Sequence, residues 1–347
     1  MRFFCVLAAA LAFLTLPPVG RAQAQVGGFS EAGFQAYLPQ LRAQAMAAGV
    51  SLGTIERIFP RLSFSRRTVE LDQAQPGGVG GTPSIPPFEP YRRDHVTPSL
   101  ISRGADRLSA NRAQLSDIGR RYGVSPSILI AIWGHETSYG TVTGGFDLLD
   151  SLATLAYEGR RRQLFADEFV ATLKLVDRGI PRSQLKGSWA GATGHPQFLP
   201  SVYLRLAVDA DGDGRPNIWT SQLDALASIA NYLRNAGWKP NVPWGVKVRV
   251  PAGIDRQALA NRLHPPRCTR VFERHSKWLR ISEWRRLGLV AQSGDWPRDN
   301  ELASLIEPDG PGAPGYLLTT NYRTILDYNC SNFYALSVGL LADAIAR

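Results

Sequence analysis

Residues 125–140 read SPSILIAIWGHETSYG. Ser125-Pro126 has the form of a helix start, an N-cap residue followed by proline at the first helical position. The apolar run Ile128 to Trp133 follows and stops at Gly134-His135-Glu136. With 3.6 residues per turn, Leu129, Ile132 and Trp133 share the side of Glu136, so its carboxyl emerges from the apolar face. A carboxyl held there loses water, which raises its pKa and keeps it protonated near neutrality. A general acid needs that property. The competing reading is a Glu neutralised by Arg160, Arg161 or Arg162. Residue pattern alone leaves both open.

Around this stretch, 347 residues suffice for two domains or one with an insertion, and 44% hydrophobic with 20% charged residues describes a folded globular protein. The first residues differ in kind. Arg2, the 14-residue apolar run Phe3–Leu16, Pro17-Pro18 and Ala22-Gln23-Ala24 form a secretory signal, expected to span 1–24 and be cut after Ala24. The run is short for a membrane span, which needs roughly 20 residues, and no other segment resembles one, so a soluble exported protein is expected. Cleavage removes two arginines and no acids, which takes the formal charge from +10 to +8 (37 basic minus 29 acidic). That balance suits a polyanionic partner, and for an exported chain a wall polymer or anionic lipid before nucleic acid. Cys268 and Cys330 remain after cleavage, and in an oxidising compartment they either pair or stand as two buried thiols.

Residues 25–90 hold an N-terminal helical part, with Phe34, Tyr37, Leu38, Leu41 and Met46 at helical spacing, and then the Gly/Pro-rich loop 76–90. Residues 91–240 again have a helical texture. From 241 to 320 the texture changes: Val246, Val248 and Val250 alternate with Lys247 and Arg249, a strand signature within a small β-containing insertion. Residues 321–347 form a C-terminal segment returning to the core, with a helix over 331–345 expected to pack back on the helical part. The fold class is therefore mainly α.

Two further stretches carry chemistry. GSWAGATGHPQFLPSVY (187–203) spaces glycines at 187, 191 and 194 so that the backbone beside Ser188, Gln197 and Phe198 can approach a ligand closely. No Gly-Lys-Ser/Thr follows, so it is no phosphate loop. DADGDGRPNIW (209–219) places Asp209, Asp211, Asp213 and Gly214 at positions 1, 3, 5 and 6 of an EF-hand-like calcium loop, with the Arg215 carbonyl at 7. Thr220 stands where the usual closing Glu would be, and Asp224 is the candidate to close the site. The alternative is a solvated acidic turn. Zinc and serine-protease motifs are absent.

Taken together, YGVSPSILIAIWGHETSYG, LATLAYEGRRRQLFADE, GSWAGATGHPQFLPSVYLRLAVDADGDGRPNIW, DALASIANYLRNAGW and YNCSNFYALSVGLLAD resemble the lytic murein transglycosylase B family (glycoside hydrolase family 103). The likeness covers most of 90–240 and 321–345 and is loose over 250–320. It implies a lysozyme-like helical core and Glu136 as sole catalytic acid. It also implies that Ser188, Gln197, Phe198, Tyr232, Tyr328, Asn329 and Tyr334 line a glycan cleft, the tyrosines offering flat faces and hydroxyls to sugars. Asp209, Asp211, Asp213, Arg215 and Asp224 correspond to the family's metal loop, with structural Ca2+ and no organic cofactor. The expected partner is peptidoglycan glycan strands in the periplasm, not nucleic acid. One departure is Thr193-Gly194-His195-Pro196, where the family often has Met-Gly before a short polar pair.

The reaction implied is cleavage of the MurNAc-GlcNAc bond with closure of a 1,6-anhydro ring. It needs no second carboxylate, because the attacking hydroxyl belongs to the same sugar and has a high effective molarity. A hydrolysing muramidase on the same fold and a non-catalytic wall-binding protein are the alternatives.

Overall fold

The computed structural model describes residues 28–75, 86–265, 267–292 and 295–347. The signal segment and most of the Gly/Pro loop lie outside the described residues. The described chain forms two compact units, one from 28–75 and 140–225, the other from 86–139 and 226–347. The stretch 91–240, read above as one core, is thus divided between them.

In the first unit, helix Glu31–Ala47 is capped by Ser30 and buries Phe34, Tyr37, Leu38 and Leu41. Met46 does not join them: Ala45, one turn after Leu41, takes the core position, and Met46 is 55% exposed. Helices Leu148–Glu158 and Arg162–Asp177 form the centre of this unit. Asp147 caps the former by accepting from Leu149 and Asp150 amides, and Gly159 ends it in a left-handed turn. Two short strands pair antiparallel, β1 (Phe146–Asp147) with β2 (Lys186–Gly187). Arg160 and Arg161 both bond Asp72, which is fully buried.

In the second unit, helix Pro126–Thr137 is buried on every side from Ile128 through Gly134. Its packing partners include Asn332–Ile345, Pro98–Ala110 and Arg112–Tyr122, so the C-terminal helix does return as expected. The chain between them builds a five-stranded antiparallel sheet from β3 (Gly245–Arg249), β4 (Leu279–Arg280), β5 (Val290–Ala291), β6 (Leu302–Ile306) and β7 (Gly315–Thr319), in the order β4-β6-β7-β3-β5. The alternation read in the sequence holds: Val246 and Val248 enter a small core with Leu305, Leu317, Ile281 and Trp284. Val250 lies just past the strand and packs at that core's edge.

Three ties hold this sheet region to the start of the last helix. Cys268 and Cys330 form a disulfide. His275 bonds Ser304 of β6 through Nδ1 (3.1 Å) and Asn332 Oδ1 through Nε2 (2.8 Å). Asn332 donates its amide to the Val271 carbonyl at 3.0 Å. The insertion therefore fixes where the C-terminal helix begins, and with it the position of Tyr334 two residues on.

Candidate active site

Glu136 lies in the last turn of helix Pro126–Thr137, half-buried. The helix ends there because Ser138 and Tyr139 adopt left-handed conformations (φ 50° and 61°) that fold the chain back. The Tyr139 ring then covers Gly134 so closely that a Cβ there would stand 2.5 Å from it, which accounts for glycine two residues before the acid. The Tyr139 hydroxyl donates to the Leu100 carbonyl (2.6 Å), and Arg103 bonds the Ser138 carbonyl. Strained backbone at a buried acid, held by such contacts, is a frequent mark of a functional site.

The three arginines weighed as partners bond within their own unit: Arg160 and Arg161 to Asp72, and Arg162 to the Tyr157 carbonyl and the face of Tyr37. The contact that Glu136 makes is with Tyr334, whose hydroxyl donates to Oε1 at 2.6 Å. Burial pushes the Glu136 pKa up to about 7, against the opposing pull of the Tyr334 hydrogen bond. The C-terminal end of the helix, where the macrodipole is negative, acts in the same direction as burial. The helix is buried on every side from Ile128 through Gly134, and Glu136 itself is half-buried at its end.

The other members of the aromatic set gather nearby. Burial, then the charge of Glu136, then Tyr232 hold the Tyr328 phenol well above its ordinary pKa. Tyr232 donates to the Asp327 carbonyl at 2.6 Å, and its ring meets Tyr328 edge-on at 4.8 Å between centroids. Asn329 ends helix Thr320–Tyr328 and is buried. Tyr334 is only 3% exposed, and its hydroxyl is turned to Glu136.

Four residues escaped the sequence reading. His135 Nε2 lies 2.7 Å from Ser337 Oγ, and the His135 ring packs edge-on against Tyr334 at 4.6 Å. His95 stacks on His135 at 5.2 Å and on Tyr91 at 3.8 Å. His135 stands beside Glu136 in the sequence, which was a usable signal; Tyr91, His95 and Ser337 come from distant segments and gave none.

The glycine-rich loop belongs to the other unit. Ser188 Oγ accepts from the Ala192 amide at 3.0 Å, and Thr193 and Phe198 bridge one another through their backbones. A Cβ at Gly187 would stand 2.0 Å from the Ala192 carbonyl, so glycine is required for the loop to close. Gln197 has a left-handed backbone (φ 49°), and its side-chain amide donates to the Thr143 carbonyl (3.1 Å) and the Gly194 carbonyl (2.9 Å). Both amide hydrogens being used, its carbonyl oxygen is the group left to meet a ligand. Phe198 is 2% exposed and packs inside the loop. His195 is buried, which lowers its pKa and keeps the ring neutral.

The acidic loop lies in the same unit. Oxygens of Asp209, Asp211 and Asp213 come within 4.8 Å of one another. Gly212 and Gly214 supply left-handed turns (φ 79° and 101°). Asp209 accepts from the amides of Gly212 and Gly214, and Asp211 from Asp213 and the Ser221 hydroxyl. Three converging, mostly exposed carboxylates are a hard-oxygen donor set that fits a calcium ion. Asp224 stands apart from this cluster: fully buried, it accepts from the amides of Ala210 (2.8 Å), Asp211 (3.3 Å) and Asn217 (2.6 Å).

A carboxyl that burial pushes to about 7, within a mainly helical fold, can exchange a proton near neutrality and forms a candidate glycosidic-bond-cleaving site. A family model for the Transglycosylase SLT domain matches residues 33–343, and the chain belongs to that family. It is 35% identical over 260 residues to membrane-bound lytic murein transglycosylase B of Escherichia coli K12, covering 74% of this chain. The chain spans 66% of that relative's length. Among solved structures, SltB3 of Pseudomonas aeruginosa in complex with NAG-NAM-pentapeptide is 38% identical, with a TM-score of 0.80 over 90% of this chain and 79% of that one. The Escherichia coli lytic transglycosylase Slt35 in complex with calcium is 28% identical, with a TM-score of 0.69 over 91% and 93%. No helix of the described residues is long and apolar enough to cross a membrane.

Proposed function

We propose that this protein is a peptidoglycan lytic transglycosylase that cleaves the MurNAc-GlcNAc β-1,4 bond and leaves 1,6-anhydro-MurNAc ends. The observation carrying this reading is the Glu136 carboxyl, pushed by burial up to about 7 against the Tyr334 hydrogen bond, with no second carboxylate among the described residues acting on it. Glu136 gives its proton to the bridging oxygen as that bond breaks. The developing positive charge on the sugar is met by the sugar's own acetamido oxygen. Glu136, now a carboxylate, takes the proton of the C6 hydroxyl as that oxygen closes on C1. The acid is regenerated and no water enters. Tyr334 steadies the carboxylate between the two proton transfers, because its hydrogen bond strengthens when Glu136 is charged.

Ser188 and the Gln197 carbonyl oxygen serve the glycan as polar contacts, and Tyr232, Tyr328 and Asn329 do so beside the acid. The Asp209–Asp213 loop, with the Arg215 carbonyl, would hold one Ca2+, which would offset two of the three carboxylate charges and stiffen the loop. A wall polymer as substrate puts the site of action in the periplasm, and a net positive chain suits it. Mass spectrometry of purified peptidoglycan after digestion tests the reading. Anhydro ends in the wild type and none with Glu136→Gln are expected, whereas reducing ends would make the protein a hydrolysing muramidase.

A further inference from the structure

The general acid is held by Tyr334, and Tyr334 is itself held by something. Its own hydrogen bond to Glu136 fixes one end of the side chain. The rest is fixed by a short relay that joins helix Asn332–Ile345 to the acid's helix. Ser337 Oγ donates to the Tyr334 carbonyl at 2.8 Å, one turn back along its helix. Tyr91, whose phenol burial pushes up, also meets Ser337 in a hydrogen bond that opposes that rise. His135 Nε2 lies 2.7 Å from Ser337 Oγ across the helix interface, the imidazole tautomer setting which of the two donates. The same imidazole meets the Tyr334 ring edge-on at 4.6 Å, while its opposite side is covered by His95 at 5.2 Å, which stacks in turn on Tyr91.

We propose that His135 is a positioning residue for the reaction: through Ser337 and the Tyr334 ring it locks the Tyr334 hydroxyl onto Glu136 Oε1, and so sets the orientation of the acid. His135 and Glu136 are neighbours in the chain, so a shift of the imidazole moves the same helical turn that bears the acid. The relay also has the right charge. Burial first, and His95 second, push the His135 pKa down to about 3, so a neutral ring stands beside the acid and leaves its proton affinity high. The titratable groups packed around the imidazole are His95, Tyr91, Tyr334 and Glu136. Among them, Glu136 has its pKa pushed by burial up to about 7.

This inference rests on Glu136 being the acid, and the experiment separates the two. Kinetics on soluble glycan strands are measured for the wild type, Glu136→Gln, His135→Phe, His135→Gln, Ser337→Ala and the double variant His135→Phe/Ser337→Ala, with Tm recorded for each. His135→Phe keeps an aromatic ring and loses the hydrogen bond to Ser337. We expect its kcat to fall about tenfold with KM within about twofold, since positioning acts on the reacting geometry. The alkaline limb of its pH–rate profile should move up, because a loosened Tyr334 no longer opposes the raised pKa of Glu136. His135→Gln places an amide N–H near the lost Nε2 and should restore most of the rate. Ser337→Ala should match His135→Phe, and the double variant should be no worse than either, as for two members of one relay. Wild-type kcat and an unmoved pH limb in folded His135→Phe would overturn the proposal, as would losses that multiply in the double variant. If Glu136→Gln were active, the fault would lie with the assigned acid instead.

Discussion

Glu136 is costly to the fold in the form that chemistry needs second. Its carboxyl is near pKa 7 in the native state against an ordinary value of 4.5. The native state therefore binds the proton more tightly than the unfolded chain. Its stabilising contribution is complete below about pH 4.5 and is lost as pH rises through about 7. Glu136→Gln removes that titration. Compared with the wild type, its stability should draw level below pH 4.5 and rise to as much as about 3 kcal/mol greater above pH 7. Thermal melts of both proteins from pH 4 to 8.5 check this, and a gap that does not change with pH would contradict it. The same titration sets activity. Rate should fall as pH rises through the Glu136 value, and Tyr334→Phe should shift that fall upward, because it deletes the one hydrogen bond that lowers the pKa.

Among the elements, the acidic loop offers the sharpest separation of roles. Calcium should raise the Tm by mass action on the folded loop. Asp211→Ala with Asp213→Ala should abolish that rise while changing the metal-free Tm little, since both side chains are exposed. Asp224→Ala should behave differently. It orphans three loop amides around a buried site, so a loss of at least about 2 kcal/mol is expected in chelator and in calcium alike. Equal Tm losses for the two kinds of variant, both cured by calcium, would erase the distinction. The sequence showed the D-x-D-x-D-G spacing plainly, because turn geometry and ligand alternation are local. It also placed the helices near 31–58 and 332–345 and the β3 strand, whose periodicities are local too. It could not show that Asp224 turns inward to the loop's backbone, nor that Tyr334 faces Glu136 across 198 positions. Those pairings exist only after the helices pack. Met46 illustrates the limit: helical spacing admits it, and packing chose Ala45.

At the scale of the molecule, the sheet region is fastened to the helix that carries Tyr334. The Cys268–Cys330 disulfide closes a separation of 62 residues, a loop for which such a bond contributes roughly 2–4 kcal/mol. Reduction should lower stability by that order. It should reduce activity before global unfolding, since Cys330 adjoins Asn329 and precedes Tyr334 by one helical turn. Thiol titration of the denatured, unreduced protein should find no reactive cysteine among these two. A full pair of thiols would rule the bond out.

The unit that holds Glu136 is assembled from two stretches, 86–139 and 226–347, with the other unit's chain between them. A polypeptide is synthesised from its N-terminus at roughly 5–20 residues per second, so some 200 residues and roughly 10–40 s separate the appearance of the acid from that of the helix bearing Tyr334. Throughout that interval Glu136 has neither its phenolic partner nor the burial that raises its pKa. Until that helix is made, the carboxyl lacks the setting that keeps its proton in place near neutrality.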